Sequence, residues 1–570
     1  MNAAGILSEA AAPNPPASDG AEIPVLAAAF ALVIVLGYAA SRWRRPDDAL
    51  LGSRGLEEWG LGGQAFGNPM QFFLLGGDLY TAYSFIAVPA LVYGTGAAGF
   101  YAVTFAVIAY PLVYFTMPRL WSVSHSHGFV SSAEFVRARF GSPALSTLVA
   151  VTAIVATLPY IALQLVGLRV VFETLGIGGD LPLTLAFGVL AFFTFSSGLR
   201  APALLSILKD ILLVATVVML VVWFTLDLGG WQHIFGVATA SFAQRPAGQG
   251  SVLLPPGTHL SYVSLALGSA LSNFLYPHTL TGTLAARNRS TVRTGLSTLP
   301  VYTLLLGFFG LLGFAAIAAG IRPAGGDVTT ILPQFLQTSL NGWPAGLAFA
   351  ALGISALVPA SIMSIGAANL FTRGIYREFI RPAASPQMET QVSRVASLLV
   401  KLGALAVVLL LTPQFAVDLQ LTGGVLIAQI LPAAAIGLHT NWFHRWALIA
   451  GTVAGLVSGI LMLYQIPSVG AGGVITSAHF GGDSWPLAHL GLHTSVTLYV
   501  GLLALGVNLI VTVAGTVVCH RFGVREGEDA TSPADYVADE GDPTIRRMAE
   551  LVDGPQRYQA RHARSTPGTS

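Results

Sequence analysis

A run of about 20 apolar residues is long enough to cross a bilayer as a helix, and this chain carries such runs repeatedly. They fall near 23–41, 66–93, 97–118, 144–176, 183–199, 203–229 and 259–284, then near 296–320, 345–373, 392–412, 416–438, 445–465 and 494–520. Between these thirteen runs the connections are too short for a soluble domain. Only 10% of the residues are charged, against roughly 25% in an ordinary soluble domain. That is too few to coat a soluble surface, so a soluble enzyme, a disordered chain and a disulfide-stapled module are all excluded. A net charge of +1 gives no footing for nucleic acid, and the single Cys519 cannot form an intrachain disulfide. The expected fold class is an all-α polytopic membrane protein with about 13 transmembrane helices.

Orientation follows from the basic residues, which concentrate in cytoplasmic connections. With residue 1 outside, those connections carry Arg42, Arg44, Arg45 and Arg54, then Arg119, Arg137 and Arg139, then Arg200 and Lys209. Arg287, Arg289 and Arg293 follow, then Arg373, Arg377, Arg381, Arg394 and Lys401, then Arg445 and the tail. The outer connections hold only Arg245 and Arg322. The expectation is an inner (plasma) membrane protein with its N-terminus outside and its C-terminus in the cytoplasm. Residues 1–22 contain Glu9, Asp19 and Glu22 and no basic residue, so they lack the positive start of a secretory signal. They read as an exported leader before an uncleaved anchor. Residues 521–570 mix both charge signs with Pro, Gly and Ser and read as a disordered or loosely helical cytoplasmic tail.

Several chemistries are absent from the motifs. A phosphate-cradling loop ends in Lys followed by Ser or Thr. The only two lysines are followed by Asp210 and Leu402, which rules out a self-contained P-loop motor. No HExxH or GxSxG occurs, so no zinc-protease or nucleophile-elbow signature supports an enzyme.

Two spans carry helix-breaking chemistry in their apolar interior. The second has Gly76-Gly77 before Asp78 and then Pro89; the seventh has Asn273, Pro277-His278 and Gly282. Backbone freed by such breaks must be buried in protein or line a cavity, because lipid cannot satisfy it. Matching interruptions in two halves point to an inverted-repeat transporter with its site at the midplane. The alternative is that Gly and Pro merely ease helix packing. On the first reading the membrane domain is 23–520, with repeats at about 66–229 and about 259–438.

Ionisable groups inside a span are costly and therefore informative. Asp78 is placed either to hold a cation or accept a proton, or to tie up frayed backbone. Lys209-Asp210 is either an interfacial anchor or a gating pair. Arg169 and Glu173 have the spacing of a local i, i+4 pair. His278 is a packed histidine or a ligand-sensing one, and Gln164 and Gln429 either glue helices together or touch substrate.

At these residues the chain resembles the sodium:solute symporter family, and within it the bacterial monocarboxylate permeases. The resemblance lies in GGDLYTAYSFIAVPALVYGTGAAGFYA (Gly76 to Ala102), TLPYIALQLVG (Thr157 to Gly167) and FLYPHTLTGTLAARN (Phe274 to Asn288). It continues in ANLFTRGIYREF (Ala368 to Phe379) and QLTGGVLIAQILPA (Gln420 to Ala433). It implies a LeuT-type five-plus-five inverted repeat, spans 2–6 and 7–11, with substrate and ion beside the broken first helix of each repeat. The family's acidic residue matches Asp78, its Pro-His matches Pro277-His278, and the aspartate of a further ion site matches Asp210.

Two departures bear on the coupling ion. Lys209 stands where many relatives have an uncharged Thr, and a fixed ammonium there could occupy an ion's place. Sodium-coupled relatives also carry a Ser-Ser or Ser-Thr pair about eighteen residues before a Leu-Tyr-Lys end, and counting back from Ile375-Tyr376-Arg377 lands on Val358-Pro359. Neither side chain supplies the oxygen that a hard cation needs. Ser355 and Ser361 stand about one turn to either side, and with Asp78 they are the remaining candidates for a sodium site.

The expected function is secondary active import of a small monocarboxylate by cation-coupled symport with alternating access. No cofactor is needed beyond the coupling cation, proton or sodium. Candidate substrate residues are Tyr80, Thr81, Gln164, Tyr276, His278 and Gln429. Candidate coupling residues are Gly76, Asp78, Lys209, Asp210, Ser355 and Ser361. The alternatives are a symporter for another small solute, such as an amino acid or acetate only, and a transport-like ligand sensor.

Overall fold

The computed structural model describes residues 20–42, 55–245, 250–340, 342–410, 416–469, 475–491, 493–494 and 496–539. The side chains of Asp78 and Leu79 lie outside the described residues, as do the leader up to residue 19 and the tail beyond residue 539. The helices in chain order are α1 (Glu22–Arg42), α2 (Gly55–Leu61), α3 (Asn68–Leu79), α4 (Val88–Thr95), α5 (Tyr101–His127), α6 (Ser132–Phe140) and α7 (Pro143–Thr174). Next come α8 (Asp180–Ser197), α9 (Arg200–Asp227), α10 (Gly230–Ala243), α11 (His259–Asn273), α12 (Pro277–Leu284), α13 (Arg289–Thr298) and α14 (Pro300–Ala318). The last are α15 (Ile331–Ser339), α16 (Trp343–Phe371), α17 (Pro386–Leu410), α18 (Ala416–Ile427), α19 (Leu431–Ala434), α20 (Arg445–Tyr464) and α21 (Val500–Arg521). Two small antiparallel ladders, Ser468–Val469 with Ile475–Ser477 and Ser484–Pro486 with Thr497–Tyr499, fold the connection between α20 and α21.

Among the described residues eleven helices are long and apolar enough to cross a membrane. The two spans expected to break do break, and neither is among the eleven. The first separates into α3 and a π-helical turn, Tyr83–Ala87, that runs into α4. The second separates into α11 and α12 around Phe274, Leu275 and Tyr276. Pro277 at the start of α12 has no N–H to give and is therefore suited to the first turn of a new helix.

The hub is α16. Its membrane window is buried throughout, whereas that of α1 is only 22% buried. A helix apolar on every face belongs in the interior, and α16 packs against α1, α7, α9, α12 and α17. Small residues set its approach to the second break: a Cβ added at Gly366 would lie 2.7 Å from the Pro277 main chain. The Arg169–Glu173 pair forms within α7 as an i, i+4 bridge of 2.8 Å, with Glu173 43% exposed. It is a surface pair, as its spacing predicts.

One end of the molecule is tied by ions. Arg373 bridges Glu134 of α6 at 3.1 Å and Glu389 of α17 at 2.9 Å, and Arg377 adds a second bridge to Glu389 at 2.6 Å. Burial works to raise the Glu134 carboxyl above its usual range, and the facing Arg373 works against it.

As far as Asp539 the tail is held against the helices. Residues 527–539 lie across the same end. The Ala530 N–H donates to Ala138 O, and Arg139 bridges Asp529 at 2.7 Å. Asp535 meets His127 at 2.9 Å, Ser122 Oγ donates to Ala538 O, and the Arg289 N–H donates to Asp539. Composition had pointed to a solvated segment. It did not reveal that Tyr536 packs between Arg119 and Arg139 as a cation–π anchor.

Candidate functional site

Both breaks free main-chain groups, and the partners of those groups define the site. At the first break the Lys209 Nζ of α9 donates to Gly77 O at 2.6 Å and to Tyr80 O at 3.0 Å, and lies 3.1 Å from Asp210 Oδ1. Lys209 and Asp210 are both buried. The sequence left this pair open between an interfacial anchor and a functional group; the ammonium caps the carbonyl ends of the interrupted helix, where cations are favoured. Gly77 permits the approach, since a Cβ there would stand 3.0 Å from Nζ. Gly76 lies against the Tyr302 ring, where a Cβ would overlap it, and the Gly77 carbonyl meets the cation.

Asp210 also accepts a hydrogen bond from the Tyr302 hydroxyl at 2.8 Å, and Tyr80 OH donates to Tyr302 O at 3.0 Å. The Tyr80 and Tyr302 rings lie 4.8 Å apart. Tyr80 therefore belongs with Lys209, Asp210 and Tyr302.

A second group forms around α7. Gln164 Oε1 accepts from the Ala82 N–H at 2.8 Å, and Thr81 Oγ1 accepts from the Tyr83 N–H at 3.1 Å. The half-helix that opens at Tyr83 is thus already capped by its own chain. Tyr160, one turn before Gln164, faces Thr81 with 3.5 Å between hydroxyls. Its ring lies 5.2 Å from Tyr276 and 5.3 Å from His278. The Tyr276 hydroxyl donates to Gln420 O of α18. The structure therefore brings together Thr81, Gln164, Tyr276 and His278, with Tyr160 joining both breaks. Sequence reading missed Tyr160 and Tyr302. The i, i+4 spacing of Tyr160 and Gln164 on one helix face was the available signal for Tyr160; none existed for Tyr302.

Three other candidates, Gln429, Ser355 and Ser361, are also buried. Gln429 is held by the last two spans: Asn508 of α21 donates to both its main-chain and side-chain oxygens, and Thr452 of α20 donates to its carbonyl. It glues peripheral helices. Ser355 and Ser361 sit on one continuous helix about 9 Å apart along the axis and on different faces, so they do not converge on one ion. Ser361 Oγ is spent on Leu357 O at 3.0 Å. Val358-Pro359 is buried and supplies no side-chain oxygen. Asp78 follows Gly77 in α3, with its side chain outside the described residues.

Two cavities adjoin these groups. A groove of about 610 Å³ between α3, α9 and α14 has Asp210 and Tyr302 on its wall. Ile211 and Val301 beside it are 56% and 57% exposed, so it opens toward the lipid side. A smaller cavity of about 40 Å³ lies at the second break, between Leu75, Phe105, Asn273 and Thr279. It has room for a few water molecules at roughly 10–15 Å³ each.

Comparison with known proteins agrees with this architecture. The family model described as "Sodium:solute symporter family" matches residues 61–453. A monocarboxylate transport permease protein of Rhizobium johnstonii is 44% identical over 495 residues, 87% of this chain and 96% of that protein. An uncharacterized symporter of Bacillus subtilis is 32% identical, covering 74% of this chain and 84% of its own. Among solved structures, a Na⁺-coupled sialic acid symporter in a substrate-bound outward-open state superposes with a TM-score of 0.68 at 15% identity. That likeness covers 87% of this chain and 98% of that one, and it shows the LeuT-type fold. The chain belongs to the sodium:solute symporter family, a family of cation-coupled solute transporters.

Proposed function

We propose that this symporter imports small monocarboxylates together with a proton, through the inner membrane, by thirteen crossings with the N-terminus outside. The observation that carries the proton assignment is the Lys209 ammonium bound to the Gly77 and Tyr80 carbonyls. A sodium ion at this break would need those oxygens, and Val358-Pro359 offers no side-chain oxygen in exchange. The 44% identity to a monocarboxylate permease supports the substrate class.

The substrate carboxylate binds at the N-terminus of α12. That helix begins at Pro277, and its N-cap residue Tyr276 makes no side-chain capping bond, whereas the Ala82 and Tyr83 N–H groups at the first break are taken by Gln164 and Thr81. A helix N-terminus attracts an anion through its N–H groups and dipole. Tyr160, Tyr276 and His278 form the wall that the short organic part lies against, with Thr81 on the opposite break. Rocking of the helices around the two breaks exposes this point to each side in turn. A co-transported cation offsets about 2.3 kcal/mol per charge per 100 mV that opposes an anion entering an inside-negative cell. The inward orientation is supported by Arg119, Arg139 and Arg289, which meet the tail at one end.

The test is labelled lactate uptake into proteoliposomes with proton and sodium gradients imposed separately and empty liposomes subtracted. Accumulation driven by an acidic exterior without sodium is expected. Uptake at the empty-liposome level until sodium is added rejects proton coupling, and binding without accumulation under either gradient rejects transport.

A further inference from the structure

The chain has two lysines, and both are buried. Lys209 is matched by carbonyls and a carboxylate. Lys401 is not: among the described residues its Nζ has one partner, Ser397 Oγ at 3.0 Å. It stands about 22 Å along α17 from Pro386, well inside the span. An ammonium has three N–H donors, and a charge held at this depth with one neutral partner is costly. An amine that can shed its proton avoids that cost.

The surroundings connect Lys401 to the transport helices. Ser397 Oγ donates to Ser364 Oγ of α16 at 3.0 Å, and Ser364 Oγ donates to Ser361 O at 2.7 Å. Ser361 follows Pro359, and Gly366, two residues past Ser364, abuts Pro277 at the second break. The ladder thus runs from Lys401 to the helix against which α12 packs.

Among the described residues, no charged group on the neighbouring helices pairs with Lys401. Within its helical range α16 has none. On α7 Arg169 and Glu173 pair with each other, and on α2 Glu58 pairs with Arg200. Glu57 lies in the first turn of α2, and Asp180 in the first turn of α8. On α17 itself Glu389 is held by Arg373 and Arg377, and in the π-helical segment Thr372–Ile380 before it Glu378 is held by Arg137. Arg394 lies over the Phe195 ring. None of these hydrogen-bonds Lys401, and nor do Tyr160 and Tyr376 of the adjoining helices.

We propose that Lys401 is the proton-binding site of this symporter, a reading that rests on the proton coupling proposed above. The Nζ lone pair takes a proton from water admitted on the outer side and returns it to water on the cytoplasmic side. With the proton bound, the ladder donates outward from Nζ through Ser397 and Ser364 to Ser361 O. With the proton gone, the amine accepts from Ser397 and the hydroxyls rotate, exchanging no proton themselves. Ser361 O then loses its donor. Proton occupancy is thereby registered on α16.

The experiment uses the full chain in proteoliposomes with a pH-sensitive dye inside, membrane potential clamped at zero and lactate as the probe. For the natural protein an inward lactate gradient acidifies the lumen faster than in empty vesicles. Lys401→Met is expected to lower this proton flux at least tenfold in protein that inserts at the natural level. Lys401→Arg, which keeps the charge and cannot release it, is expected to lose the proton flux as well. Ser397→Ala is expected to keep coupling but shift the midpoint of the pH profile. Natural-like proton flux and pH profile in Lys401→Met overturn the proposal. If that variant fails to insert, the same result in Lys401→Arg overturns it. If the natural protein itself moves lactate with sodium and no proton, the functional reading fails first and this assignment fails with it.

Discussion

Lys209 Nζ lies 2.6 Å from the carbonyl oxygen of Gly77, tying the interior of one membrane helix to the broken backbone of another. A fixed cation therefore fills the carbonyl end of the break. The natural protein should show no rise in melting temperature when choline chloride is replaced by sodium chloride. Lys209→Met leaves the Asp210 charge buried and two carbonyls uncapped, and should cost about 3–5 kcal/mol. Differential scanning fluorimetry in the two salts checks both points; a sodium-dependent rise in the natural protein would sink the reading of Lys209 as a built-in ion.

The two breaks were legible in the sequence because Gly-Gly and Pro at fixed places have local consequences that any bilayer enforces. Arg169–Glu173 was legible for the same reason, since its spacing alone makes the pair. Lys401 was misplaced among cytoplasmic loop charges: a charge count near the end of a span does not reveal depth. Gln429 looked like a substrate donor because its partner Asn508 is 79 residues away in another span. Tyr302 and the docked tail were hidden likewise, since their contacts join segments that only the tertiary fold brings together.

Gln164 holds the first break through a bond that either an amide or a carboxylate oxygen can accept. Gln164→Leu leaves the buried Ala82 N–H without an acceptor and should cost about 1–3 kcal/mol, with a marked fall in uptake. Gln164→Glu retains an acceptor and should keep more of the thermal stability than the Leu variant. Equal melting temperatures for the two would show that the bond to Ala82 does not support the break.

Gln429 should behave differently. Its amide joins α18 to α20 and α21, so Gln429→Leu should lower stability by about 1–3 kcal/mol while leaving the lactate KM of the protein that inserts unchanged. Thr81→Val and His278→Phe, placed at the breaks, should raise that KM. A KM change in Gln429→Leu as large as in those two variants would return Gln429 to the substrate site.

The tail contact responds to pH in a direction that the structure fixes. Burial works to raise the Asp535 carboxyl, but the hydrogen bond from His127 and the Ser532 N–H outweigh it and hold it below its ordinary range. Because the docked pKa lies below the undocked one, about 3.9 for a free Asp side chain, the contact is strongest above that value. It is lost as pH falls through the docked pKa. Hydrogen exchange of residues 530–539 should therefore stay slow from neutral pH down to about 4, after allowance for the intrinsic pH dependence of exchange, and accelerate below it. Asp535→Asn removes the charge while keeping the shape, so exchange in that segment should be faster at neutral pH and lose its acid transition. An acid transition that persists unchanged in Asp535→Asn would assign the response to a different group.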